Sequence, residues 1–183
     1  MARRDAAIQV IAMGVSGVGK STVAQGLSTM LGWTYAEGDE FHSAANVAKL
    51  SAGHPLTDDD RWPWLRAIGV WLDAQIDAGR PSVVTCSALR RAYRDALREG
   101  RPEVFFLHLV AGEGLVAGRV SHRTDHYMPP SLLHSQFDIL EPLEPDEPGV
   151  RVSVDGSAAE VLQRVVAALG VGDEPTTRHE PAP

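Results

Sequence analysis

Short apolar runs alternate with longer amphipathic segments along this chain. The run at 8–13 predicts a buried strand, and the three-to-four-residue spacing of apolar positions in 21–31 predicts the helix that follows it. The same two patterns recur, predicting strands at 34–36, 82–86, 104–110 and 150–154 and helices at 43–52, 58–78, 88–99, 113–123, 130–140 and 157–169. Strands that alternate with helices predict an α/β fold, here a mainly parallel five-stranded sheet with helices on both faces.

Length and charge narrow the classes of function. The 183 residues fit one domain, which we predict at 1–170, and a polar, proline-rich tail at 171–183 that we predict to be disordered. A net charge of −7 argues against nucleic acid or a membrane surface as the main partner. No apolar run is long enough to span a bilayer, and the N-terminus lacks a signal-peptide pattern. The single cysteine, Cys86, fits a reducing compartment, so a cytoplasmic location is predicted.

A phosphate-binding loop is predicted between the first strand and the first helix. The segment from Gly14 to Ser21 fits the pattern G-x-x-x-x-G-K-[ST], whose glycines let consecutive backbone N–H groups surround a phosphate. Lys20 is placed to reach the β- and γ-phosphates, and the Ser21 hydroxyl is a candidate ligand for Mg²⁺. The predicted nucleotide-binding residues are Gly14, Val15, Ser16, Gly17, Val18, Gly19, Lys20, Ser21 and Thr22.

Other motifs separate the classes of nucleotide-binding protein. A GTPase carries an Asn-Lys-x-Asp motif, which is excluded because Lys20 and Lys49 are the only lysines. A motor ATPase usually has a carboxylate at the end of a second strand, whereas the candidate strand 82–86 runs into Ser87. The small size therefore favours a phosphotransferase.

Two further groups of residues suit phosphoryl transfer. Asp39 follows the second predicted strand at the carboxyl edge of the sheet, where a carboxylate can accept a proton from a substrate hydroxyl. Arg119 and Arg123 share one face of a predicted lid helix. We assign Arg123 to the charge on the transferred phosphoryl group and Arg119 to stacking over the nucleotide base.

Several separate stretches resemble the gluconate kinase (gluconokinase) family of P-loop kinases. The loop from Met13 to Ser21 is one, and Glu37-Gly38-Asp39 with His42 and Asn46 is another. More specific blocks are Gly53-His54-Pro55-Leu56-Thr57-Asp58-Asp59-Asp60-Arg61, Pro63-Trp64-Leu65, Cys86-Ser87-Ala88-Leu89-Arg90-Arg91, Tyr93-Arg94-Asp95, Gln136-Phe137 and Leu140-Glu141-Pro142. The likeness covers about residues 8–170.

The resemblance implies an ATP:D-gluconate 6-phosphotransferase that uses ATP and Mg²⁺. It further implies a nucleoside-monophosphate-kinase-like fold with a helical lid at about 112–135, and a homodimer as one expected state. Glu37, which stands where Asp is common, becomes a candidate for ordering magnesium-bound water. The implied catalytic residues are Lys20, Asp39 and Arg123, and the implied substrate-binding residues are Asp39, His42, Arg61, Arg90, Arg94 and Gln136.

Two alternatives remain open at this point. One is another small-molecule P-loop kinase, of the shikimate or adenylylsulfate type. The other is a non-catalytic regulator that binds a nucleotide.

Overall fold

The computed structural model describes residues 7–121 and 130–171. The predicted tail from residue 172 onward and the middle of the predicted lid, 122–129, lie outside the described residues. Within the described ranges no helix is long and apolar enough to cross a membrane.

The described chain forms a parallel α/β sheet, as the hydrophobic pattern predicts. The strands are β1 Gln9–Met13, β2 Thr34–Ala36, β3 Ser82–Thr85, β4 Val104–Val110 and β5 Gly149–Ser153. They pair in the order β2-β3-β1-β4-β5, and every pairing is parallel. The helices are α1 Lys20–Leu31, α2 Ala44–Ser51, α3 Asp58–Asp77, α4 Arg91–Arg98, α5 Glu113–Ser121, α6 Pro130–Ile139 and α7 Ala158–Leu169.

Two segments differ from the sequence prediction. Helix α4 begins at Arg91 rather than at 88, because Ala88 takes a positive φ of 42° and Arg90 is extended. The loop after β2 contains a short 3₁₀ helix, Gly38–Phe41, which periodicity did not indicate. Both segments lie at the carboxyl edge of the sheet.

The core consists of two layers, one on each face of the sheet. Successive side chains of a strand point to opposite faces, so Val10 and Ala12 join one cluster while Ile11 and Met13 join the other. The first cluster is covered by α1 and α7, and the second by α3 and α4. Helices on both faces confirm the predicted class of fold.

A crevice opens at the carboxyl ends of β1 and β3. These strands are neighbours, but β1 leads into α1 on one face whereas β3 leads towards α4 on the other. The two loops therefore diverge, and ligands of open parallel sheets bind at such a point.

A buried histidine in β4 makes stability depend on pH. His108 is 1% exposed, and neither ring nitrogen has a hydrogen-bond partner within the described part of the chain. Burial, together with Arg151 and Arg94 and opposed by Glu147, lowers the pKa of His108 to about 4. Because the unfolded chain then binds the proton more readily, the free energy of unfolding falls as pH drops below about 6.5.

We expect replacement of His108 by leucine to flatten this pH dependence. Between pH 8 and pH 5 the native protein should lose about 2 kcal/mol more of unfolding free energy than the His108→Leu variant, measured by urea unfolding. His54→Gln is the control, because His54 is exposed. Equal losses in the native protein and in His108→Leu would contradict the interpretation.

Candidate active site

The phosphate loop connects β1 to α1 as predicted. Gly19 precedes the helix with a φ of 109°, a conformation that side chains with a Cβ rarely adopt. The Lys20 Nζ donates hydrogen bonds to the carbonyl oxygens of Gly14 at 3.1 Å and Val15 at 2.9 Å. The ammonium group thus lies over its own loop, close to the backbone that would surround a phosphate.

A cavity of about 670 Å³ adjoins this loop and is a candidate nucleoside pocket. The loop, the start of α1, α5, Gly156 and the start of α7 line it. Arg119 lies in its wall, where the guanidinium donates to the carbonyl oxygens of Val18 at 3.2 Å and Val154 at 2.8 Å. Arg119 is thus placed beside the predicted nucleotide, and its stacking on a base stays a prediction.

Glu37 lies at the carboxyl end of β2, against the phosphate loop. Its carboxylate accepts hydrogen bonds from the hydroxyls of Thr85, Tyr35 and Ser21. Burial acts to raise the pKa of Glu37, but these hydrogen bonds and the charge of Lys20 outweigh burial and lower it. Glu37 is therefore held ionised beside the serine that is predicted to bind Mg²⁺.

The turn that carries Asp39 is fixed by close packing. A Cβ on Gly38 would lie 1.8 Å from the Thr85 carbonyl oxygen, so only glycine fits there. The Trp64 indole N–H donates to the Gly38 carbonyl oxygen at 2.7 Å, and the indole stacks on the His42 ring at a centroid distance of 4.4 Å. Asp39 itself remains exposed, with its carboxylate 3.9 Å from His42.

His42 is a neutral member of this group. Burial lowers its pKa, and the charge of Arg61 acts in the same direction, while Asp39 opposes them. A neutral imidazole between Asp39 and Trp64 can donate or accept a hydrogen bond. The predicted role of His42 in binding substrate stays a prediction.

Three charged residues that the sequence assigns to catalysis or substrate binding act on the thiol that follows β3. Burial raises the pKa of the Cys86 thiol to about 12, and the charges of Lys20, Asp39 and Arg61 all act on the same thiol. These three side chains come from the phosphate loop, the turn after β2 and helix α3. The fold therefore brings together residues that are far apart in sequence.

A second cavity, which we call the acceptor pocket, lies between α3, α4 and α6. Its volume is about 300 Å³, enough for a six-carbon acid, and its lining includes Arg61, Arg90 and Gln136. Arg61 is 8% exposed, and its guanidinium carbon lies 5.7 Å from the centre of the Tyr93 ring. Arg90 is paired with Asp58 at 3.0 Å.

Gln136 links the acceptor pocket to the phosphate loop. Its side-chain oxygen accepts a hydrogen bond from the backbone N–H of Ser16 at 2.7 Å. An N–H of the loop that is predicted to hold phosphate thus contacts a residue that lines the other pocket. The two candidate substrate sites therefore share a border at Gln136.

The prediction that Arg94 binds substrate needs correction. Arg94 is 1% exposed, and its guanidinium pairs with Glu147 at 2.5 and 2.8 Å. It also donates to the carbonyl oxygens of Ala88 at 3.2 Å and Glu141 at 2.9 Å. Burial raises the pKa of Glu147, but the hydrogen bonds from Arg94 and the Glu144 N–H lower it overall. Arg94 therefore fastens the loop before β5 to α4 instead of contacting a ligand.

Sequence reasoning also missed contacts that hold this site together. Tyr93 and Asp58 were noted only as parts of the family blocks, yet they contact the arginines of the acceptor pocket. Thr85 belongs to the predicted strand 82–86 and has no predicted site role, although its hydroxyl holds the Glu37 carboxylate in place. Arg123 lies outside the described residues.

A phosphate loop that shares a border with a separate acceptor pocket, in a parallel sheet of this order, defines a P-loop kinase of small molecules. No protein-family model matches the chain. Gluconokinase of Gluconobacter oxydans is 48% identical to it over 157 residues, which cover 86% of this chain and 88% of that protein. The chain belongs to the gluconokinase family.

Solved structures agree with this assignment. A gluconokinase from Sinorhizobium meliloti superposes with a TM-score of 0.81 and is 43% identical, over 92% of this chain and 94% of that one. A sugar kinase from a Janibacter species gives a TM-score of 0.84 at 48% identity, over 90% of this chain and 95% of that one.

Proposed function

We propose that the protein transfers the γ-phosphoryl group of ATP to the 6-hydroxyl of D-gluconate, giving 6-phospho-D-gluconate and ADP. The observation that carries this function is the 48% identity to a gluconokinase over most of both chains. The neighbouring phosphate loop and acceptor pocket support it from the structure.

In this mechanism the chain's residues position the reactants and stabilise charge. The loop N–H groups hold the phosphates, and Lys20 turns from the Gly14 and Val15 carbonyls towards the transferred group. Asp39 accepts the proton of the attacking hydroxyl. His42 and Trp64 support the turn on which Asp39 stands.

Residues at the end of β2 fit Mg²⁺, which would neutralise phosphate charge when bound. The Ser21 hydroxyl and the Glu37 carboxylate are oxygen donors of the kind that Mg²⁺ prefers, and they are hydrogen-bonded to each other. Among the described residues no cluster of three or more His, Cys, Asp or Glu could hold a metal. Mg²⁺ needs no such cluster, since nucleotide phosphates and water supply its remaining ligands.

Two arginines of the predicted lid, Arg119 and Arg123, are proposed to act on the nucleotide. Arg119, in the wall of the nucleoside pocket, would cover the base, and Arg123 would stabilise the charge of the transferred phosphoryl group.

A cytoplasmic location and a homodimer are also part of the proposal. The buried, unpaired thiol of Cys86 supports the former.

Arg61 is proposed to bind the carboxylate of gluconate. It is buried in the acceptor pocket, and within the described ranges its guanidinium makes no side-chain hydrogen bond. Arg61→Ala should raise the KM for gluconate about 30-fold or more, the usual scale for removing one partner of a buried charge pair. The KM for ATP should change much less, as steady-state kinetics would show.

Arg66→Ala is the matched control, because Arg66 lies on the same helix but is exposed. It should leave both KM values unchanged. Equal effects of Arg61→Ala on the two substrates would argue against a carboxylate contact.

A panel of acceptors tests the proposed function. ADP release should require gluconate and should stay at background with shikimate, AMP or adenylylsulfate. Nothing in the described site favours these acceptors over gluconate. ADP release that is equally fast without any acceptor would refute the kinase assignment.

A further inference from the structure

The acceptor pocket has a defined balance of charge. Its charged lining residues are two arginines, Arg61 and Arg90, and one aspartate, Asp58. The other described residues along this wall are uncharged, so the described lining carries a net charge of one positive. Gluconate carries one negative charge, which matches this balance.

Tyr93 holds the three charged groups in fixed positions. Its ring is 1% exposed and lies 5.7 Å from the Arg61 guanidinium carbon and 6.0 Å from that of Arg90. Its hydroxyl donates to the Asp58 carboxylate at 2.6 Å. An edge contact with Trp62, at a centroid distance of 5.5 Å, fixes the ring in turn. Tyr93 therefore contacts both arginines and the aspartate and fixes their positions relative to one another.

The two arginines are not equivalent. Arg90 donates to Asp58 at 3.0 Å, so its guanidinium already has a carboxylate partner. Arg61 contacts the Tyr93 ring but has no carboxylate partner among the described residues. Asp58 is not needed to cap α3, because Thr57 and Asp60 form the capping box there. The place of Asp58 in the pocket therefore calls for a role other than capping.

We propose that Asp58, held by Tyr93, is a specificity-determining residue that limits the acceptor to one negative charge at the end facing Arg61 and Arg90. This inference rests on the proposed function. With Asp58 present, a dianionic group would meet only one cation without a carboxylate partner, and its second charge would be repelled by the nearby Asp58 carboxylate. A neutral polyol would leave Arg61 buried without a counter-charge. A single carboxylate satisfies the pocket.

Three open-chain ligands that share the polyol chain and differ in the group at C1, and hence in its charge, test the proposal. They are D-glucitol, which is neutral, D-gluconate, and the analogue with a phosphonate in place of the carboxylate, which is dianionic at pH 8. Dissociation constants are measured by calorimetry with a non-hydrolysable ATP analogue present. Asp58→Asn should shift the affinity ratio of phosphonate to gluconate by about tenfold or more towards the phosphonate. Tyr93→Phe should shift the ratio in the same direction by a smaller factor.

Asp59→Asn is the matched control, since it removes the same charge from the next residue, which is exposed and outside the pocket. It should leave the ratio unchanged. An unchanged ratio in Asp58→Asn, or an equal shift in Asp59→Asn, would overturn the proposal. If Asp58→Asn fails to fold, Tyr93→Phe is measured instead, and an unchanged affinity ratio of phosphonate to gluconate in that variant would overturn the proposal. The proposed function fails separately, namely if the native protein does not phosphorylate gluconate.

Discussion

Lys20→Ala should lower kcat with gluconate about 10³-fold, the scale for removing one fixed donor that faces developing charge in a transition state. The structure places the Lys20 ammonium on the phosphate loop, where it contacts the Gly14 and Val15 carbonyl oxygens. Lys20 itself is half-buried and belongs to neither hydrophobic cluster of the core, so the melting temperature should change little. Steady-state kinetics and thermal unfolding measure the two effects.

Lys49→Ala is a natural control, because Lys49 is the other lysine of the sequence. It pairs with Asp60 at 2.7 Å on the surface, and its side chain is 45% exposed. Its replacement should leave kcat unchanged. A Lys20→Ala enzyme with nearly normal kcat would remove Lys20 from the mechanism.

Asp39→Asn should lower kcat by about 10²-fold or more, because asparagine keeps the shape of the side chain but cannot accept the proton of the attacking hydroxyl. The exposed carboxylate lies at the crevice, on a turn held by Trp64 and by the close contact of Gly38 with Thr85. Affinity for ATP should stay nearly constant. Kinetics combined with nucleotide titration would separate the two quantities.

Glu40→Gln, on the same turn and exposed, controls for a general loss of charge. It should retain normal kcat. If Asp39→Asn instead weakened ATP binding while chemistry stayed normal, Asp39 would belong with Glu37 in the magnesium site.

Local signals in the sequence were enough to predict the sheet and the phosphate loop. Strands β1, β3 and β4 are short, mainly apolar runs, and the loop is a continuous motif between β1 and α1, so neither signal depends on distant contacts. The start of α4 was predicted three residues early because helix propensity does not reveal the positive φ of Ala88.

The acceptor pocket depends on contacts that no local pattern contains. Arg90 and Arg94 are one helical turn apart and look equivalent in the sequence. The structure pairs Arg90 with Asp58 at the pocket, whereas Arg94 is buried against Glu147 in the loop before β5. Residues distant in sequence therefore determine which of the two arginines can contact a ligand. The family resemblance implied the same substrate-binding role for both arginines and could not separate them.

The place of Glu37 in the site also depends on contacts between distant parts of the sequence. The predicted strand 82–86 has no carboxylate at its end, which argues against a motor ATPase. In the structure Thr85, at the end of that strand, donates its hydroxyl to the carboxylate that follows β2. A carboxylate near the magnesium site is thus supplied by the neighbouring strand, which only the order of strands reveals.

The most direct test of the central claim is to identify the product by ³¹P and ¹H NMR after incubation with ATP, Mg²⁺ and D-gluconate. The account predicts a phosphate monoester whose phosphorus couples to the two protons on C6, formed in equal amount with ADP. Ester formation at another position, or ADP formed without any sugar-acid ester, would contradict it.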